Sequence, residues 1–278
     1  MKKNILFIAI ILATTMIGIF SCKRDYSLVA TTKTTEGTSY LAIVQASPNF
    51  RNIFNMPDSF NVFINGQKIS GFAPGTASPF VTYGTTFPST NTGFGYIAIP
   101  SGPQQIKFSV SGVINADSIP ITTFTKTFLP DHQYSFIITD SINSLRDSSQ
   151  IFLDDVYNFP PTTGYYNLRF VNAVLNDTAS VDLYSYARNG VIYSKVSPGG
   201  TTAFSQIGVN IQTSDTLYVT RSLATGVSST TPLSQRTILA KMAFGAGNQK
   251  SYTIYYKGDF SLPVSNKKGR SLSFYRHE

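Results

Sequence analysis

The chain has one cysteine, Cys22, no tryptophan, two histidines and two glutamates, Glu36 and Glu278, in 278 residues. Without a second cysteine it cannot close an internal disulfide, so its stability must come from burial and sheet pairing. A glycosidase of the paired-carboxylate kind needs an acid and a base held across a cleft. The acids here are few and sit mostly in turns. His132 lies in the turn sequence Pro130-Asp131-His132-Gln133 and His277 is the penultimate residue. Neither accompanies a nucleophile elbow, so the expectation is a solvated turn histidine and a tail residue, with no catalytic group. A zinc site needs clustered His, Cys, Asp or Glu, and the histidines stand far apart in sequence. Calcium needs converging oxygens. Asp154-Asp155 and Asp177, with Asp140 and Asp147 upstream, are the candidates, but adjacent aspartates on a strand face opposite ways. The expectation is therefore no enzyme, no metal and no diffusible cofactor. Charged residues make up only 13% of the chain, and the formal net charge of +8 is scattered. A nucleic-acid partner would require a concentrated basic face with interleaved aromatics. The clusters Lys23-Arg24 and Lys267-Lys268-Arg270 read instead as solvated charge.

What is present begins with an address. Lys2 and Lys3 precede an almost wholly apolar run, Ile5 to Phe20, which ends at Ser21-Cys22. That run is shorter than the ~20 residues a spanning helix needs, and a charged-then-apolar start is the layout of a secretory signal. Ile17-Gly18-Ile19-Phe20-Ser21-Cys22 resembles a bacterial lipoprotein signal of the looser Bacteroidota type, with Phe20 bulkier than the usual small residue. The resemblance implies cleavage before Cys22, a thioether-linked diacylglycerol on its sulfur and an N-acyl lipid such as palmitate on its new N-terminus. Two or more acyl chains anchor a protein stably where one does not. The implied location is the cell envelope, held by lipid to the outer membrane; surface and periplasmic display both fit the single acidic residue, Asp25, after the cysteine.

Residues 22–39 are rich in threonine and lack a hydrophobic period, as a tether would. From Tyr40 the pattern is that of strands. Ser59 to Ile64 is closed by Asn65-Gly66, the strongest short hairpin signal. Ile106 and Phe108 alternate with Lys107 and Ser109, and Tyr134, Phe136 and Ile138 alternate with Ser135, Ile137 and Thr139. Such alternation marks half-buried strands, and many short strands between turn signals argue for β-sandwiches. Pro160-Pro161 interrupts the pattern, after which it restarts. Leu168 to Ala173 lines up with Leu41 to Ala46, Val181 to Tyr184 with Phe60 to Phe63, Ser197 to Phe204 with Ala73 to Phe80, and Ser251 to Ile254 with Gln133 to Phe136. Four matches in one order imply a tandem duplication.

These residues resemble the bacterial domain of unknown function 4397. Leu41 to Ser47-Pro48 is similar to its opening strand, Asn61 to Asn65-Gly66 to its second strand and turn, and Leu153-Asp154-Asp155-Val156 with Pro160-Pro161 to its joint between copies. The resemblance covers about residues 40 to 258 and is closer in the first half; Val174-Leu175 and Ser185-Tyr186 depart from it. It implies an exported, often lipid-anchored sandwich of immunoglobulin or transthyretin type and carries no activity. The expected organisation is all-β: signal peptide 1–21, lipidated Cys22 and tether 22–39, first sandwich 40–157, Pro-rich linker 158–164, second sandwich 165–260, and a basic C-terminal segment 261–278 that can supply a last strand. The expected role is a non-enzymatic, lipid-anchored binding or structural module whose partner is a cell-envelope protein or a glycan. The alternative is a glycan-binding component of an outer-membrane nutrient-capture system. For that reading Tyr83, Phe87, Phe94 and Tyr96, around a long Gly/Thr/Ser/Pro loop, would form a platform for sugar rings; the competing reading of the same residues is sheet packing.

Overall fold

The computed structural model describes residues 37–48, 59–70, 81–88, 95–110, 120–139, 150–156, 163–209, 214–224 and 230–277. All belong to one compact unit, Lys33–Glu278. Cys22, Phe94, Asp140, Asp147 and the 158–162 part of the linker lie outside the described residues. The fold is all-β, and among the described residues there is no α-helix. The Val, Ile, Tyr, Phe and Thr content that suits a pleated, packed surface accounts for this.

The strands of the first half are β1 (Thr38–Gln45), β2 (Ser59–Ile64), β3 (Gln67–Lys68), β4 (Val81–Thr82), β5 (Thr86–Phe87), β6 (Ile97–Pro100), β7 (Gly102–Val110), β8 (Pro120–Phe128), β9 (Gln133–Ile138) and β10 (Ile151–Asp154). Those of the second are β11 (Tyr165–Asn172), β12 (Val181–Ser185), β13 (Gly190–Val196), β14 (Ser205–Gly208), β15 (Asp215–Arg221), β16 (Ile238–Phe244), β17 (Ser251–Lys257) and β18 (Ser271–Arg276). In the first half one sheet runs β10-β9-β1-β5, with β6 also on β1, and the other runs β3-β2-β7-β8, with β4 on β2. In the second the sheets run β14-β11-β17-β18 and β13-β12-β15-β16.

The two halves share a frame. β1 runs parallel to β9 with Leu41 opposite Tyr134, and β11 runs parallel to β17 with Leu168 opposite Tyr252. These are the pairs that the internal sequence match sets side by side. Asn65, with φ 48°, and Gly66, with φ 83°, close the β2–β3 hairpin through positive φ. In the second half the turn falls later: Ser185 pairs with Gly190, and Asn189 takes the positive φ of 48°. The C-terminal segment enters the sandwich as β18, antiparallel to β17, and supplies its last strand.

Alternation along each strand sends one set of side chains into each sandwich. Leu41, Ile43, Tyr134, Phe136 and Ile138 meet Phe60, Val62, Ile106, Phe108 and Phe124 in the first core. Leu168, Phe170, Tyr252, Ile254 and Tyr256 meet Val181, Leu183, Leu217, Val219 and Phe244 in the second. Aromatic edges do much of the packing: Phe124 lies edge-on to Phe136 at 5.1 Å and Phe244 to Tyr252 at 5.2 Å. Each such pair contributes ~0.5–1.5 kcal/mol beyond its buried area.

The other faces of the two parallel-paired sheets also pack, against each other. Val44, Ala46, Ile137 and Ile151 from the first half form one apolar cluster with Val171, Ala173, Tyr255 and Tyr275 from the second. The sheets therefore stack as outer, inner, inner, outer, and the two sandwiches are fused through a third, central core. β17 is buried at every residue because both its faces are covered.

Candidate functional site

The polar residues with the most chemical potential converge at the rim of this central core. Asp155 follows β10, and its amide donates to Gln133 O at 2.7 Å. His277 follows β18, and its amide donates to Ser251 O at 3.0 Å. Those are matching positions of the shared frame, and both side chains turn into the central layer. Arg169, from the middle of β11, reaches across the layer and places Nη2 2.5 Å from Asp155 Oδ1, with both side chains almost fully buried.

Hydroxyls complete the arrangement. Ser135 Oγ and Tyr96 Oη donate to Asp155 Oδ2 at 2.5 and 2.7 Å. Tyr275 Oη donates to Ser135 Oγ at 2.7 Å and accepts from Arg169 Nη2 at 3.3 Å. Arg169 Nε donates to Thr253 Oγ1 at 3.1 Å. His277 Nε2 lies 2.8 Å from Thr253 Oγ1, and its Nδ1 contacts Tyr96 Oη. Tyr96 spends its one proton on Asp155, so it must accept from His277 Nδ1–H. His277 Nε2 then accepts the Thr253 proton, and the imidazole is neutral.

The electrostatics agree with that proton count. Burial, with the Arg169 charge nearby, holds His277 well below the ordinary histidine value. Burial raises Asp155, while Arg169, Ser135 and Tyr96 act against the rise. Burial alone would lower Arg169, but Asp155 together with the Tyr275 and Tyr96 phenols more than offsets it, and the guanidinium stays charged. Burial also raises Tyr275, which keeps its proton to donate.

A hydroxyl, an imidazole and a carboxylate thus stand together, but as a lock. Thr253 and Ser135 are fully buried, His277 retains 2% exposure, and their hydrogen-bonding groups face one another under two sheets. A nucleophile needs an open side from which substrate arrives. His277 is therefore no solvated tail residue; it is packed among Tyr96, Phe204 and Tyr275. β18 carries it inward, a consequence of a last strand whose alternation is masked by its short length.

His132 keeps its turn position and pairs through Nδ1 with Asp154 Oδ2 at 2.6 Å, on the exposed side. Asp154 and Asp155 do face opposite ways, one to His132 and one to Arg169. Asp177 lies in the second half and pairs with Arg221 at 2.9 Å. Among the described residues, no three His, Cys, Asp or Glu side chains converge as metal ligands would. Of the four aromatics considered for a sugar platform, Tyr96 is engaged in the central network. Tyr83 lies under Lys257 Nζ, 4.5 Å from its ring centroid, and Phe87 packs against the first core. These three side chains thus meet different neighbours.

The sequence reading missed Arg169, Ser135, Thr253 and Tyr275. Arg169 carried a usable signal, since a charge inside the apolar run Leu168-Arg169-Phe170-Val171 needs a buried partner.

No family model and no curated protein matches the chain. Among solved structures it is similar to the Bacillus anthracis TIE protein, at 12% identity and a TM-score of 0.21 over 79% of this chain and 33% of that one. A leucine-rich repeat protein from Bacteroides thetaiotaomicron is similar at 11% identity and a TM-score of 0.19, over 82% of this chain and 26% of that one. CBMbc, a family CBM26 module from Eubacterium rectale Amy13K solved with maltoheptaose, is similar at 10% identity and a TM-score of 0.20, over 86% and 96%. The chain spans about a third of the first and a quarter of the second. Likenesses of this size carry no argument about function.

Proposed function

We propose that this chain is a non-enzymatic, lipid-anchored module of the cell envelope, akin to the domain of unknown function 4397, that presents its surface loops from a rigid double sandwich. The observation that carries the reading is the central core. The two halves share an apolar layer and a buried Arg169–Asp155 pair, so they move as one block. Inside that block the hydroxyl of Thr253, the imidazole of His277 and the carboxylate of Asp155 are tied together through Tyr96 and Ser135. Loops on such a scaffold can vary without unfolding it. Among the described residues, no helix is long and apolar enough to cross a membrane, and attachment is assigned to Cys22. The test is Cys22→Ser in cells fed labelled palmitate. The wild type should take up label and sediment with membranes, whereas the variant should do neither. A wild type that is membrane-bound but never labelled sinks the reading.

A further inference from the structure

The second half gathers several hydrogen-bond donors around the turn that follows β17. β17 ends at Lys257 and the chain turns at Gly258, whose φ is 116°. A side chain there would run into the Gly269 carbonyl, so the turn requires glycine. Asp259 N donates to Lys268 O at 2.8 Å and closes the loop between them. Asn176 pins the loop to the turn between β11 and β12: its Nδ2 donates to Asp259 Oδ1 at 2.7 Å, and its Oδ1 accepts from Phe260 N at 3.0 Å. Phe260 is thereby fixed against the second core.

Two guanidinium groups lie over the Phe260 ring, Arg270 at 4.6 Å and Arg221 at 5.2 Å from its centroid. Arg221 uses Nη1 to hold both oxygens of Asp177, at 3.0 and 2.9 Å, and the Ala179 carbonyl at 3.2 Å. Arg270 Nε is buried with no hydrogen-bond partner, and so is the hydroxyl of Tyr256. Tyr256 lies within electrostatic reach of Arg270, Asp177 and Arg221, and burial keeps its phenol protonated. The position that matches Tyr256 in the first half is Ile138, an ordinary core residue. Arg221, Arg270, Lys267 and Lys268 against the carboxylates of Asp177 and Asp259 leave a surplus positive charge, and the unpaired groups are donors.

Buried donors without acceptors are costly to maintain in a core, and a fork of N–H groups with an added O–H suits the oxygens of an anion. We infer that Arg270, Arg221 and Tyr256 form a binding site for a small oxyanion: a carboxylate, phosphate or sulfate group of a ligand. Arg270 Nε and the Tyr256 hydroxyl bind its oxygens, and Arg221, neutralised in part by Asp177, supplies the second positive wall. Lys267 and Lys268, in the same loop, raise the local potential that draws an anion in. Arg270 is thus a working residue of a built loop and not a solvated tail charge. The site stands independently of how the chain is anchored.

The experiment is titration calorimetry on the full chain in non-ionic detergent, with sodium phosphate, sulfate and acetate at an ionic strength held constant with chloride. At least one anion should bind saturably. Preference for phosphate or sulfate assigns a phosphorylated or sulfated ligand; preference for acetate assigns a carboxylate. Tyr256→Phe and Arg270→Gln should each weaken that binding about tenfold or more. Tyr256→Phe removes only an unpaired hydroxyl, so the anion-free protein should melt no lower than wild type, which separates loss of binding from loss of fold. Absence of saturable binding for all three anions, or binding unchanged in Tyr256→Phe, overturns the inference.

Discussion

On the central face of the first inner sheet, Ala42, Ser135 and Leu153 stand side by side; at the same register positions the second carries Arg169, Thr253 and Tyr275. The next position along pairs Asp155 with His277 in the same sense. One frame has thus been filled with complementary chemistry. Small and acidic groups on one side leave room for the long guanidinium and phenol of the other. Two copies with identical central faces would have opposed like to like. The divergence at these few positions is what allows the sandwiches to share a layer, and it also explains why the internal match weakens outside the turn and core positions.

The largest test of that complementarity is Arg169→Ala. Removing one partner leaves the Asp155 carboxylate buried with its charge uncompensated, and breaking such pairs costs about 3–5 kcal/mol. Urea unfolding should show a loss of that order, shared by both halves. Replacing Asp155 and Arg169 together by leucine should recover much of it, since paired apolar groups can fill the space without a stranded charge.

The two matching acid-base positions predict opposite pH behaviour. His277 is held below the ordinary histidine value by burial. The unfolded chain therefore binds a proton that the folded chain refuses, and stability falls as pH drops below about 6.5. Asp155 is raised by burial, so the folded chain takes up its proton first and this group works against the loss in more acid solution. In His277→Gln, which can still accept from Thr253 and donate to Tyr96, the decline in melting temperature just below pH 6.5 should flatten. An unchanged slope would contradict the buried neutral imidazole.

Lys257 gives the smallest effect. It is buried beside Tyr83, donates to Ser271 Oγ at 2.9 Å, and burial lowers it to about 8. The unfolded lysine titrates near 10.4, so stability should rise with pH between about 8 and 10 and the penalty is full at neutral pH. Lys257→Met should abolish that rise and stabilise the protein by on the order of 1 kcal/mol at pH 7. Its first-half counterpart, Thr139, carries no such charge.

Much of the frame was legible in the sequence. Asn65-Gly66 announced its hairpin through positive φ, and the alternation of Tyr134, Phe136 and Ile138 gave the core face of β9. The fusion of the halves was not read, although Ile137 on the supposedly solvent face of that strand was a sign that both faces are covered. The network was less legible still. Tyr96, Ser135, Asp155, Arg169, Thr253, Tyr275 and His277 come from six distant stretches, and their types are ordinary for turns and strand surfaces. Only their register in two stacked sheets makes them partners. Many of the aromatics pack edge-on in the cores, and Tyr83 and Tyr96 meet Lys257 and His277.

Hydrogen exchange of the full chain across a urea series, read separately for β1, β9, β11 and β17, tests the shared core most directly. The most protected amides of both halves should open with one free energy and one urea dependence, because neither inner sheet can lose its layer alone. Protection that persists in β11 and β17 after β1 and β9 have exchanged, or the reverse, would show two independent sandwiches and contradict the account.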